Sequence, residues 1–200
     1  MNKHIFAAAA IALVPFFAAS PAFAQDTAPA GTYVEDDGHA YVTFSYDHQG
    51  YSAPQVRFND FAIELGYDPE NVEASTIAAT IEVASIDTGV EKLDNHLKSA
   101  DFFEVETWPR ITFTSTELTQ LTPTTGTMTG DLTIKGVTKP VTLDVTLNKV
   151  GAGRDGTPKM GISARGMFLR SDYGVDFLVP MVGDEVNVVI ELEMVKQAQP

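Results

Sequence analysis

Between His39 and Tyr46 the chain alternates, with Ala40, Val42, Phe44 and Tyr46 on one face and His39, Tyr41, Thr43 and Ser45 on the other. Successive side chains of a strand leave opposite sides of the pleat, so this period of two predicts a half-buried strand. The same pattern recurs over 76–83 (Ile77, Ala79, Ile81, Val83), 111–115 (Ile111, Phe113), 128–134, 141–147, 161–168 and 186–194. An apolar run over 56–67 changes phase between Phe58 and Phe61, which predicts a bulge. Turn signals separate most of these eight segments, among them Asp47-His48-Gln49-Gly50, Asp68-Pro69, Lys135-Gly136 and Gly183-Asp184. One segment breaks the pattern: Leu93, Leu97 and Ala100 stand at i, i+4 and i+7, so 90–100 predicts a short helix over one end of the sheets.

The fold class is therefore all-β. Eight antiparallel strands can close into an up-and-down barrel, which removes exposed edges and leaves an interior for side chains or one small ligand. A two-sheet sandwich satisfies the same alternation. No repeat or linker divides the region, so 39–200 reads as one domain. Ahead of it, residues 25–38 are Thr, Ala, Pro, Gly and Asp with little apolar content and read as a flexible N-terminal arm. Residues 1–24 read as a signal peptide: Lys3, an apolar run of about fifteen residues interrupted by Pro15, then the small-x-small triplet Ala22-Phe23-Ala24. The run is shorter than the roughly 20 residues of a membrane span. Cleavage after Ala24 is expected, with export away from the cytoplasm.

Charge narrows the partners. The 200 residues carry 13 Lys and Arg against 27 Asp and Glu, a formal −14, and loss of Lys3 with the leader makes this −15. Nucleic acid is a poor partner for so acidic a chain, since phosphate binding needs a basic face. The absence of Cys removes disulfide, thiol and zinc-ribbon chemistry. Nucleophile-elbow, zinc-protease and phosphate-loop motifs are missing too, so no catalytic residue and no metal ligand is assigned. His39 and His48 sit at opposite ends of one strand and cannot share a metal, while His96 reads as an exposed helix residue. The paired carboxylates, such as Asp36-Asp37 and Glu191 with Glu193, read as a solvated acidic surface. Apolar material stands out instead: Phe44, Phe58, Phe61, Phe102, Phe103, Trp108, Phe113, Phe168 and Phe177 are spread over most segments, with Tyr46 and Tyr51 beside them. A closed sheet would gather many of them, either as a packed core or as the wall of a pocket for a long apolar ligand.

Five stretches, in order, resemble the YceI-like family of exported bacterial proteins. They are His39-Ala-Tyr-Val-Thr-Phe; Ser85-Ile-Asp-Thr-Gly with Asp94-Asn-His-Leu-Lys-Ser-Ala-Asp-Phe-Phe-Glu-Val; Trp108-Pro-Arg-Ile-Thr-Phe-Thr-Ser-Thr; Gly130-Asp-Leu-Thr-Ile-Lys-Gly-Val-Thr-Lys-Pro-Val; and Arg170-Ser-Asp-Tyr-Gly leading to Val182-Gly-Asp-Glu-Val. Val56 and Leu93 depart from the family's usual Gly and Arg. The resemblance implies an eight-stranded, lipocalin-like antiparallel barrel with a helix, a periplasmic location, and an elongated apolar cavity that holds a polyisoprenoid or other long-chain amphiphile. Combined with the alternating faces, it nominates Phe44, Tyr46, Phe58, Phe61, Ile81, Phe102, Phe103, Trp108, Phe113, Leu132, Leu143, Ile162, Phe168 and Ile190 as ligand-binding residues. The Ser85–Gly89 motif is expected to cap the following helix, and Arg170-Ser171-Asp172 to close a loop, the lesser alternative being Arg170 or Lys98 as partner for a diphosphate head group.

The expected function is binding, transport or sequestration of such a lipid, for example a prenylated quinone or polyprenyl phosphate. It needs no covalent cofactor, only transient membrane contact, and a monomer or homodimer suffices. Two alternatives use the same residues differently: an enzyme acting on a bound lipid, and a filled-core protein acting through its acidic surface.

Overall fold

Long alternating segments joined by tight turns give ten strands and one α-helix in a computed structural model that describes residues 28–198. The strands are β1 (Gly31–Tyr46), β2 (Gln55–Phe58), β3 (Phe61–Tyr67), β4 (Thr76–Glu82), β5 (Ile86–Asp87), β6 (Arg110–Gln120), β7 (Thr125–Ile134), β8 (Val137–Ala152), β9 (Pro158–Leu169) and β10 (Glu185–Lys196), with helix α1 (Glu91–Lys98) between β5 and β6. The leader expected over residues 1–24 lies outside the described residues.

Eight strands form a closed antiparallel ring in the order β1, β3, β4, β6, β7, β8, β9, β10 and back to β1. The closing ladder runs from Tyr33 opposite Lys196 to Tyr46 opposite Val186. That ladder settles the choice between barrel and sandwich. β2 and β5 lie beside the ring, with β2 on the C-terminal half of β1 and β5 on β2.

The phase change between Phe58 and Phe61 is a full break between β2 and β3 rather than a bulge. β1 pairs with β3 over 31–34 and with β2 over 42–45, and Asn59 donates its backbone N–H to Ser85 across the break. The Glu35 carboxylate spans the gap by accepting the Ile63 N–H at 2.8 Å.

Residues 28–38 are not a flexible arm. Gly31 onward is strand, Tyr33 is fully buried, and Ala28 is buried in the same core. Their composition hid this because β1 bulges against β10 between Glu35 and Ala40, so Tyr33 faces inward in one phase and Val42 in the other. Tyr33 and Val34, adjacent and so without alternation, are the apolar residues of the first half of the strand.

The bulge carries a charge cluster. Asp36 accepts the Gly38 N–H at 3.0 Å and the Lys159 ammonium at 2.7 Å, with His39 at 3.3 Å, while Lys159 also reaches Glu193 at 2.5 Å. Asp36, His39 and Glu193 are the one metal-like grouping among the described residues, and the Lys159 ammonium already bridges its two carboxylates. The hydrogen bond from Lys159, helped by Gly38 and His39, holds the Asp36 carboxyl down at about 2. A carboxyl depressed in the folded state stabilises the fold above its ordinary value near 4, and that contribution is lost as pH falls through about 2. A carboxyl NMR titration should give Asp36 a midpoint near 2, and Asp36→Asn should remove this part of the acid sensitivity.

Wall contacts are close. A Cβ at Gly130 of β7 would lie 2.3 Å from the Phe113 ring and 2.6 Å from the Thr114 carbonyl oxygen on β6. The carbonyl belongs to the ladder and cannot move aside, so Gly130→Ala should cost about 1–3 kcal/mol in denaturant unfolding. Helix α1 stops at Lys98, short of the expected Ala100, because the Ser99 hydroxyl takes the His96 carbonyl at 2.7 Å and the chain turns away. Leu97 is its buried residue.

Candidate functional site

Inward positions of the ring enclose a cavity of about 470 Å³. β1 contributes Val42, Phe44 and Tyr46; β4 contributes Ile77, Ala79 and Ile81; β6 contributes Ile111 and Phe113. β7 adds Leu132 and Ile134, β8 adds Val141 and Leu143, β9 adds Ile162, Ala164 and Phe168, and β10 adds Val188 and Ile190. Phe44, Ala79, Ile81, Phe113, Leu132, Ile162 and Ile190 face the interior yet are only partly buried. Side chains of a filled core would cover one another completely, so the middle of this barrel is hollow.

The two ends differ. At the end holding the start of β1, Tyr33, Met160 and Met194 are almost completely buried, the Tyr33 hydroxyl donates to the Pro29 carbonyl at 2.7 Å, and Tyr67 meets its ring edge-on at 6.2 Å. That end is plugged. At the other end the lining includes His48, His96 and Leu178, which are all exposed, so the cavity reaches solvent beneath α1 and the 170–184 loop. His96, Phe102 and Phe177 pack there as a triangle with ring centroids 5.0 to 5.7 Å apart.

Of the residues nominated from sequence, Phe44, Tyr46, Phe58, Ile81, Phe102, Phe103, Phe113, Leu132, Leu143, Ile162, Phe168 and Ile190 line this cavity. Phe61 and Trp108 do not. Phe61 stands beside the β2–β3 break and lines a separate hollow of about 390 Å³ with Tyr41, Arg57 and Asn59. Trp108 precedes β6 and is 38% exposed, its ring covering Gly136. The β7–β8 connection holds Lys135 at φ 49° and Gly136 at φ 73°, a two-residue hairpin that favours glycine at its second position. A Cβ on Gly136 would strike the Trp108 ring at 2.5 Å.

Sequence reasoning gave Arg170-Ser171-Asp172 the closing of the loop after β9 but missed how deeply Arg170 and Tyr173 are buried there. Arg170 is 7% exposed and spends its guanidinium on four backbone carbonyls: Nε donates to Gly183 at 2.9 Å, Nη1 to Val175 at 2.7 Å and Phe177 at 3.0 Å, and Nη2 to Val182 at 3.0 Å. Burial lowers its pKa, offset in part by Asp184 and Asp176. Ser171 donates its N–H and hydroxyl to Asp184 at 2.9 and 2.7 Å. This loop, with Leu178 and Val182, roofs the cavity. The motif's expected loop-closing role is what the structure shows, and its Arg170 side chain also reaches the interior.

The Ser85–Gly89 motif differs from expectation, because Asp87 does not cap α1. It accepts the Gly89 N–H at 2.8 Å and pairs with Arg57 at 3.0 Å, while Asp94 from within the helix reaches back to the Thr88 N–H and hydroxyl at 2.7 and 2.6 Å. The polar groups lining the cavity are Thr43, Tyr46, His48, His96, Arg170 and Tyr173, and no carboxylate lines it among the described residues.

A closed eight-stranded antiparallel barrel, plugged at one end and hollow in the middle, is a lipocalin-type architecture. The YceI-like domain matches residues 33–194, and the chain belongs to the YceI-like family. It is 37% identical over 183 residues to protein YceI of Shigella flexneri, covering 90% of this chain and 94% of that one. Among solved structures, a Campylobacter jejuni YceI protein superposes with a TM-score of 0.70 at 34% identity, covering 74% of this chain and 87% of that one. A polyisoprenoid binding domain from Saccharophagus degradans shares the fold with a TM-score of 0.63 at 12% identity, covering 84% of this chain and all of that one.

Proposed function

We propose that the protein binds a long-chain isoprenoid lipid in the barrel cavity and carries or sequesters it outside the cytoplasm. The observation that carries this reading is the hollow itself: an apolar interior of about 470 Å³, plugged by Tyr33 and open beneath the 170–184 loop. The name of the S. degradans domain supports the isoprenoid class.

Each methylene withdrawn from water gains about 0.8 kcal/mol, so a prenyl tail greatly prefers such a pocket to the aqueous phase. A bilayer keeps the tail equally dry. Exchange between membrane and pocket is therefore close to balanced, which suits a carrier that loads and unloads during brief membrane contact. No covalent cofactor enters this scheme.

Protein purified from its own compartment should yield a stoichiometric long-chain lipid on organic extraction and mass spectrometry. An empty extract together with no uptake of prenyl lipid from vesicles would reject the reading. If export follows the Ala22-Phe23-Ala24 triplet, N-terminal sequencing of the exported protein should begin at Gln25.

A further inference from the structure

Tyr173 lies just past the open end of β9, in a single 3-10 turn over Arg170–Tyr173 that Gly174 ends at φ 69°. The reversal turns the Tyr173 side chain inward, where its ring meets Phe168 edge-on at 5.3 Å and is 1% exposed. Both rings line the cavity, and so does Arg170. The Tyr173 hydroxyl has no hydrogen-bond partner, the one buried side-chain polar atom among the described residues left so. In the same loop the Val175, Phe177, Val182 and Gly183 carbonyls take the Arg170 guanidinium, and the Asp184 carboxylate takes Ser171.

An unpaired buried hydroxyl is costly to fold around, so a native structure that keeps one calls for a missing partner. We propose that Tyr173 is a specificity-determining residue that donates a hydrogen bond to an oxygen carried by the ligand, so that the cavity selects oxygen-bearing long-chain amphiphiles over hydrocarbons of the same skeleton. This rests on the lipid-binding reading above. Burial pushes the phenol up to about 12, so it stays protonated and acts as a donor throughout the neutral range. The buried Arg170 guanidinium lines the same space, its charge partly offset by the nearby Asp184 and Asp176. The ligand's polar atom is then read inside the barrel, under the 170–184 loop, rather than left in solvent.

The test uses delipidated protein, a fluorescent naphthylamine probe in the cavity, and two displacers: geranylgeraniol and the hydrocarbon of the same skeleton. Wild type should bind the alcohol about tenfold more tightly, the size expected of one neutral hydrogen bond in a sealed site. Tyr173→Phe keeps the ring and should bring the alcohol down to or below the hydrocarbon's affinity, because its hydroxyl is then buried without a partner, while the hydrocarbon's affinity stays unchanged. A preference that survives Tyr173→Phe, or no preference in wild type, overturns the proposal and leaves lipid binding standing. Failure of both displacers in wild type overturns the lipid reading and the proposal together. Stability gives a second readout: empty Tyr173→Phe protein should melt at or above the wild-type temperature, and a Tm several degrees lower would mean that the hydroxyl has an internal partner and would overturn the assignment.

Discussion

Arg170→Leu should destabilise the protein by about 3–5 kcal/mol, the loss typical of removing one partner from a buried charged network. The guanidinium joins four carbonyls spread over Val175 to Gly183; each loses this donor once the side chain is apolar, and the bonds to Val175 and Val182 are the fully buried ones. Water reaching the loop would relieve some of this, which is why the expected loss is smaller than four separate penalties. Arg170→Lys should recover little. A lysine offers a single ammonium in place of a planar fork, and it cannot reach carbonyls on several sides at once. Urea unfolding measures both variants, and a loss below about 1 kcal/mol for Arg170→Leu would mean that the loop holds its shape without the guanidinium. Because Leu178 and Val182 of this loop also line the cavity, prenyl-lipid binding should weaken alongside stability.

The barrel was legible because its signal is periodic. Over 161–168 and 186–194 the alternation separates Ile162, Ala164, Phe168 and Ile190 from the outward positions, and each of these lines the cavity. Where periodicity fails, so does the reading. Tyr33 plugs the closed end, yet the bulge between Glu35 and Ala40 puts it out of phase with Val42, so the first half of β1 reads as polar coil. Phe61 keeps step with Ile63 and Leu65 but stands next to the β2–β3 break, where the wall opens into a different hollow. Trp108 precedes β6, outside any alternating run, and residue type alone nominated it; the Gly136 turn that receives its ring lies across a hairpin no local pattern connects to it. Arg170 and Tyr173 were hidden for the opposite reason. They sit in a loop and carry polar groups, so hydropathy places them in solvent, whereas a guanidinium with four carbonyl partners and a ring packed on Phe168 are both buried. One signal could have been used: Gly174 directly after Tyr173 marks a chain reversal, and a reversal at a barrel rim turns a neighbouring side chain inward.

Ala79→Phe should abolish most lipid binding, by about 100-fold or more, while leaving the empty protein as stable as wild type or more so. Ala79 sits in the middle of β4, between Ile63 on β3 and Phe113 on β6, and its methyl faces the cavity. A phenyl ring there adds apolar surface to a hollow, gaining burial for the folded state and removing the volume a prenyl chain would occupy. The direction of the stability change is what separates a hollow barrel from a filled one. Extra atoms forced into a close-packed core cost about 1–3 kcal/mol, because neighbours must leave their rotamers. Thermal and urea unfolding of delipidated protein give that sign directly, and vesicle-to-protein transfer of a fluorescent prenyl lipid gives the binding loss. A destabilised variant that still took up lipid would place the ligand elsewhere on the molecule, whereas a stable variant that takes up none would locate it between β4, β6 and the facing strands β9 and β10, where Ile162 and Ile190 complete the wall.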